Sequence, residues 1–275
     1  MQIIIDTIGE KMSQYNFLNG KAVRFLSIVG LLLMGTMHAE NEIGTSDSYL
    51  QIGGNYTYAN IDVGGQPSFH GNLGGAQGIY EYQPSNSIYG GLRLAWKQGK
   101  TENSFANREL IYVDAQGRVG YTYASCCNDW LLTAFSGVGY RYLGHKLKQS
   151  EVPSVKFEYN EFYVPVGLLS EYFLCSCWSI GLNSIWMPQV FPTVEIIPFK
   201  GTYWSLKNTI GNVLVELPLT YYFTEDKCYS LVFKPFYEHW ENGRSTAKTS
   251  GGEELGLPKN FYNFWGAELN IAFSF

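Results

Sequence analysis

From residue 48 to its last residue, this chain changes character at every second position, in segments of ten residues or more. A repeat of two marks a strand whose two faces meet different surroundings. The clearest segment is 111–123, IYVDAQGRVGYTY. Ile111, Val113, Ala115, Val119, Tyr121 and Tyr123 share one face, while Asp114, Gln116 and Arg118 share the other. One face can touch lipid; the other carries a carboxylate and a guanidinium that cannot. Segment 87–97 likewise sets Ile88, Leu92, Leu94 and Trp96 against Arg93 and Lys97. In 129–142, Trp130, Leu132, Val138 and Tyr140 oppose Thr133 and Arg141. In 177–190, Trp178, Ile180, Leu182 and Trp186 oppose Ser179, Asn183 and Gln189.

Ten such segments lie near 48–60, 73–83, 87–98, 110–124, 129–145, 156–174, 177–194, 203–223, 228–240 and 260–275. Their connections alternate. Tight turns fall at 83–86, 125–128, 175–176 and 224–227, and longer connections near 61–72, 99–109, 146–155, 195–202 and 241–259. Sorting short turns to one side and longer loops to the other is the layout of a closed antiparallel transmembrane β-barrel with its turns in the periplasm. A soluble β-sandwich has no reason to sort them so. The fold expected is therefore all-β, a barrel of about ten strands, with eight or twelve as alternatives. Pro165, Pro188, Pro218 and Pro235 fall inside proposed strands. A closed barrel has no edge to hide a missing donor, so bulges or displaced strand ends are expected there.

Composition fits the same reading. Charged residues are only 16% of the chain, against roughly 25% in an ordinary soluble domain. Aromatics are also 16%, with Tyr 21, Phe 17 and Trp 7, and Gly reaches 30. Mean hydropathy is nonetheless −0.11, because lipid-facing and lumen-facing positions cancel. No stretch after Ala39 has the length of apolar residues that a transmembrane helix needs. The net charge of −5 and the lack of a basic run exclude an electrostatic case for nucleic-acid binding.

The first 39 residues read differently. Lys21 and Arg24 precede an apolar run from Phe25 to Leu33, and Met37-His38-Ala39 precedes Glu40. This is the pattern of a secretory signal peptide cleaved after Ala39, with 40–275 as the mature barrel and Met12 as an alternative start.

The last strand carries a second address. Trp265, Ala267, Leu269, Ile271, Phe273 and Phe275 share one face, and Phe275 ends the chain. A terminal Phe on an alternating strand resembles the signal read by the barrel assembly machinery, with Phe275, Phe273 and Ile271 carrying it. GVGYRYLGH (137–145), FEYNEFYVPVGLL (157–169) and FKPFYEHWENG (233–243), with the terminal strand, resemble a family of small outer-membrane β-barrel proteins in the style of OmpA and OmpX. The resemblance covers most of the mature chain. It implies the fold and a place in the bacterial outer membrane, with outer-membrane lipid as surroundings; its motifs carry no chemistry.

Function is less legible. The inward face is expected to hold Glu81, Arg93, Lys97, Asp114, Arg118, Arg141, Glu171, Glu216, Lys234 and Glu268. Mixed signs in a ten-strand lumen favour mutual pairing and a closed or nearly closed barrel, since clear aqueous channels usually take about sixteen strands. A structural or surface-interaction barrel is the first expectation, a small porin for polar solutes the second, and an outer-membrane hydrolase a remote third. His70, His145 and His239 fall in or near outer loops, with His145 read as a solvated loop residue. Asp62 stands near His70, and Glu238 and Glu241 near His239, but no catalytic spacing emerges. No enzyme, cofactor or metal is expected. Cys126, Cys127, Cys175, Cys177 and Cys228 all fall at periplasmic turns. The periplasm is oxidising, so disulfides within the barrel or to other envelope proteins are candidates. Pairing between turns is expected over pairing within one, because adjacent or near-adjacent cysteines close strained rings. The arrangement is similar to the cysteine-linked envelopes of chlamydia-type bacteria.

Overall fold

A computed structural model describes residues 47–275 apart from 66, 126–128, 150–151, 198–202, 225–226, 246 and 249–253. The expected signal segment, its cleavage at Ala39, the alternative start at Met12, and Cys126 and Cys127 lie outside the described residues. Among the described residues, helices are absent and strands carry the fold. The continuous ones are β1 (Ser48–Val63), β2 (Phe69–Tyr82), β3 (Ser87–Glu102), β4 (Asn107–Ala124) and β5 (Trp130–Gln149). Then come shorter pieces: β6 (Val152–Tyr163), β7 (Val166–Cys175), β8 (Trp178–Trp186), β9 (Gln189–Ile197), β10 (Tyr203–Ser205), β11 (Val213–Glu216) and β12 (Leu219–Tyr222). The chain continues through β13 (Tyr229–Asn242), a small hairpin of β14 (Ala247–Lys248) and β15 (Glu254–Leu255), and β16 (Asn260–Ser274).

The sheet closes where β1 pairs with β16, from Tyr49–Ser274 to Val63–Asn260. Ten staves form the wall, because β6 with β7, β8 with β9, and β10 with β11 and β12 each make one interrupted stave. Every pairing is antiparallel.

The prolines explain three of the four interruptions; residues 206–212, between β10 and β11, contain none. Val164-Pro165 separates β6 from β7, and Met187-Pro188 separates β8 from β9 on the adjacent stave. The two breaks face each other: Val164 N–H donates to the Pro188 carbonyl at 3.1 Å. Leu217-Pro218 separates β11 from β12, opposite Pro235, and Leu217 N–H donates to the Pro235 carbonyl at 2.9 Å. Missing donors are thus gathered opposite one another, so few neighbours lose a partner. Pro235 itself stays inside β13, paired with Ala267.

The outward face is apolar in the middle and aromatic at both margins. Tyr121, Tyr123, Trp130, Tyr172, Trp178 and Tyr229 ring the end with the short turns; Tyr56, Trp96, Phe162, Trp186 and Trp265 ring the other; all are exposed. Ile52, Leu94, Val138, Leu168, Leu182 and Leu269 lie exposed between them. An apolar band between aromatic girdles is the lipid-facing surface of a membrane barrel.

The outer connections are shorter than expected. Only residues 64–68 separate β1 from β2, and 103–106 separate β3 from β4. The strands run on past the membrane: β4 has 18 residues and β5 has 20, where spanning takes about 9–11. Beyond the outer girdle the outward face meets water while inward residues such as Ile61, Leu110 and Leu143 stay buried, so the outward side turns polar while the ladder continues.

Candidate functional site

Alternation sends every second side chain into the barrel, where the buried polar groups arrange themselves in tiers. Nearest the short turns, Tyr89 donates a hydrogen bond to Glu81 at 2.7 Å, and Arg118 lies 3.8 Å from the same carboxylate. Ser179 and Tyr222 donate to Glu171, the latter at 2.8 Å. Glu81, Arg118, Glu171 and Tyr222 border a cavity of about 90 Å³ that Arg93 and Lys234 also line, room for a few waters.

The next tier is a four-charge cluster. Arg93 donates to Glu216 at 2.8 Å and to Glu268 at 3.0 Å. Lys234 lies 2.9 Å from Glu268 and 3.7 Å from Glu216. Asn183 donates to Glu216 at 3.0 Å, and Gln77 donates to both Glu268 and Asn270. Two cations and two carboxylates cancel, and the amides occupy remaining lone pairs. Such mutual pairing is what makes buried charge tolerable.

Above it, Lys97 donates to Glu238 at 2.9 Å. Tyr112 and Trp240 donate to the other Glu238 oxygen, Trp240 at 2.6 Å. The ammonium also sits 4.5 Å from the Phe236 ring centre. Beside this tier, Tyr163 donates to Asp114, and Gln116 donates to it at 3.1 Å. Further out, Arg141 donates through Nε to Glu161 at 2.7 Å, and its guanidinium lies 3.8 Å from the Trp240 ring centre. Gln189 donates to Glu161 at 2.9 Å.

Side chains lining a water-filled pore would be wetted. Arg141, Glu161 and Trp240 are 0% exposed, Glu268 1% and Lys97 2%. Through these tiers the lumen is filled with side chains.

The charges are also sorted by wall. Arg93, Lys97, Arg118 and Arg141 stand on β3, β4 and β5, whereas Glu161, Glu216, Glu238 and Glu268 stand on β6, β11, β13 and β16. Lys234, Glu81 and Asp114 are the exceptions. The ion pairs therefore mostly cross the lumen or bridge neighbouring staves.

All ten residues singled out from the sequence appear in these tiers. Sequence reasoning missed Glu161, Glu238, Tyr112, Tyr163 and Trp240. Glu238 shares the parity of Lys234, and Glu161 that of Tyr159 and Tyr163, so alternation was the signal that could have found them.

The histidines part company. His145 is not a solvated loop residue: β5 continues through it, and its parity with Arg141 turns it inward, 2% exposed. Its ring packs against Tyr159 and Tyr262, at 5.5 and 5.4 Å between centres. His239 points outward and donates to Asn263 at 2.7 Å, while Glu238 points inward, so the two do not couple. His70 stacks on Tyr58, and Asp62 accepts from Ser68.

At the inner rim, Cys175 and Cys177 flank the β7–β8 turn with their sulfurs 3.2 Å apart. A bulge between Phe173 and Cys175 and the two-residue spacing put both thiols on one side, so a contact within one turn is closer than the sequence reading expected. Cys228 precedes β13, and its carbonyl accepts from Ser274 N–H at 2.9 Å.

Comparison with known proteins gives one family match. The model of the outer membrane protein beta-barrel domain matches residues 27–183. No curated protein matches the chain. Among solved structures, outer membrane protease OmpT from Escherichia coli is similar at a TM-score of 0.57, with 12% identity over 86% of this chain and 99% of that one. The transport unit of the autotransporter AIDA-I from Escherichia coli reaches 0.45, at 14% identity over 87% and 94% of the two chains. Ail of Yersinia pestis, an attachment invasion locus protein, reaches 0.37, at 11% identity over 83% and 99%. At such identities the likeness to OmpT speaks for the barrel alone. With ten closed staves, a lipid-facing band between aromatic girdles and a family match over more than half its length, the chain belongs to the outer membrane protein β-barrel family and resides in the bacterial outer membrane.

Proposed function

We propose that this barrel acts as a structural or surface-presenting element of the outer membrane, with a lumen that does not conduct. The observation that carries this reading is the Arg93–Glu216–Glu268–Lys234 cluster, whose four charged groups satisfy one another across the full width of the lumen. Opening a water path there would separate ion pairs that hold staves on opposite walls. The test is conductance of the purified protein in planar bilayers. Silence from the native chain supports the reading; steady discrete openings would transfer it to the small porins. The sensitive companion is Arg93→Ala with Lys234→Ala, which is expected to create openings that the native chain lacks.

The inner rim fits the same role. The contact between Cys175 and Cys177 favours pairing inside the turn over pairing with another envelope protein. Non-reducing electrophoresis with peptide mass mapping separates the two: a reductant-sensitive high-mass band containing this turn would favour cross-linking. Phe275, Phe273 and Ile271 stand exposed on the outward face of the closing strand, where the assembly machinery would read them. Phe275→Ala is expected to lower the folded yield without altering a barrel once formed.

A further inference from the structure

We propose that the outer end of the lumen holds a site for a small inorganic monoanion such as chloride, between Arg108 and His145. Register brings the donors together on the inward face of three adjacent strands. Thr101 on β3 lies opposite Arg108 on β4. Arg108 lies opposite Leu147 on β5, and Leu110 opposite His145. Arg108 and His145 are therefore diagonal neighbours, about 7–8 Å apart at the backbone and within reach of long side chains. Thr101 and Arg108 also border a hollow of about 680 Å³ at the outer rim, a route by which an ion from outside reaches them.

These groups differ from the other buried polar groups of the lumen in what they lack. Arg93, Lys97, Arg141 and Lys234 each meet a carboxylate. Arg108 is only 9% exposed, and its guanidinium lies flat over the Phe69 ring at 3.7 Å from the ring centre. Among the described residues its Nε has no partner, and the groups that act on its charge are the Tyr262 and Tyr159 phenols rather than a carboxylate. Both ring nitrogens of His145 and the hydroxyl of Thr101 are likewise buried without a partner. A buried donor left unpaired costs about 1–3 kcal/mol, and more when charged. Three such residues side by side mark a place built for a fourth group.

Charge selects the class of ion. Burial first, then the Arg108 and Arg141 guanidinium groups, push the His145 imidazole well below its ordinary range. It is neutral and has one N–H to donate. Two guanidinium groups nearby exclude a metal cation from its other nitrogen. Beyond the Lys97–Glu238 tier, the buried charges of the lumen are Arg108, Arg141 and Glu161. Glu161 is taken by Arg141 and Gln189, so one positive charge is left over. A monoanion cancels it, whereas a dianion would leave a surplus negative charge against Tyr159 and Tyr262, the rings that pack on His145. A bound anion would tie β3 and β4 to β5 at the outer mouth.

The experiment uses the full chain in uncharged detergent micelles, with sodium chloride exchanged for sodium gluconate at constant ionic strength. The urea midpoint of the native chain is expected to rise with chloride and then level off. The unfolding constant should fall about ten-fold when chloride reaches ten times its dissociation constant. Arg108→Gln should abolish the response and, having lost an unpaired buried charge, should be no less stable than the native chain in gluconate. His145→Phe keeps the ring packing and removes the N–H, so it should demand several-fold more chloride. Heat-dependent gel mobility verifies that each variant is folded. As an independent measurement, crystals of the native chain soaked in bromide should show an anomalous peak between Arg108 and His145. A native midpoint indifferent to chloride, an equal response in Arg108→Gln, or no bromide at that place overturns the site. Sulfate that stabilises more than chloride, through Arg108, overturns its assignment to a monoanion.

Discussion

The two sides of this barrel are built differently. From β1 to β5, five strands of 14 to 20 residues run unbroken from rim to rim. From β6 to β12, three staves are assembled from seven pieces, none longer than 12 residues. Most of the continuous wall's buried charges are cations; those of the broken wall, Glu161 and Glu216, are carboxylates. A long ladder keeps its shape through backbone hydrogen bonds alone. An interrupted one needs holding, and the ion pairs that reach from Arg93 to Glu216 and from Arg141 to Glu161 hold it to the intact side. Buried charge here does the fastening that backbone pairing does elsewhere.

The sharpest way to break that division is to unpair one buried charge. Glu161→Ala strands the Arg141 guanidinium over the Trp240 ring, and should cost about 3–5 kcal/mol in urea unfolding from detergent micelles. Replacing both partners with methionine should recover most of the loss, because no uncompensated charge remains. Next in size, proline is tolerated only where the staves are already broken. Ala115→Pro, in the middle of β4 between Leu94 and Tyr140, should cost about 3 kcal/mol. Pro188→Ala, at an existing break, should change stability by less than about 1 kcal/mol by the same measurement. The smallest effect needs no mutation. Amide exchange in β9 and β10 should outpace that in β3 and β4 by about ten-fold or more, near 1.4 kcal/mol of local opening. Equal protection on both sides would erase the distinction between the walls.

What could be read from the sequence follows the same line. In 111–123 and 87–97 the alternation meets lipid on one side and charge on the other, so strand, face and inward residues are all legible. Where strands rise above the girdle, Asn72, Lys100 and Lys146 replace apolar outward residues. The contrast that reveals period two is lost, and these stretches read as loops. His145 and Glu238 were misplaced for that reason, although counting in twos from Arg141 and Lys234 leads to both. Which charges meet was not legible at all. Arg93 and Glu216 are 123 residues apart, and only closure of the sheet and the stagger of its staves bring them together. The proline positions gave warning of breaks in the staves. That the breaks face one another could be learned only from the register.

Those facing breaks have a mechanical consequence. Outside the prolines, β6, β9 and β10 form a small flap hinged along β5. Among the described residues, its free margin meets the far wall through the Leu206–Ser245 bridge, the Lys207 N–H to Arg244 carbonyl bond at 3.2 Å, and side-chain bonds such as that from the Thr209 hydroxyl to the Glu241 carbonyl at 2.6 Å. Below the prolines, the ring of β5, β7, β8, β11 with β12, and β13 stays zipped. Force applied at the cell surface would meet a door set into a rigid frame: the outer mouth can swing on its hinge while the hoop inside the membrane keeps its tension.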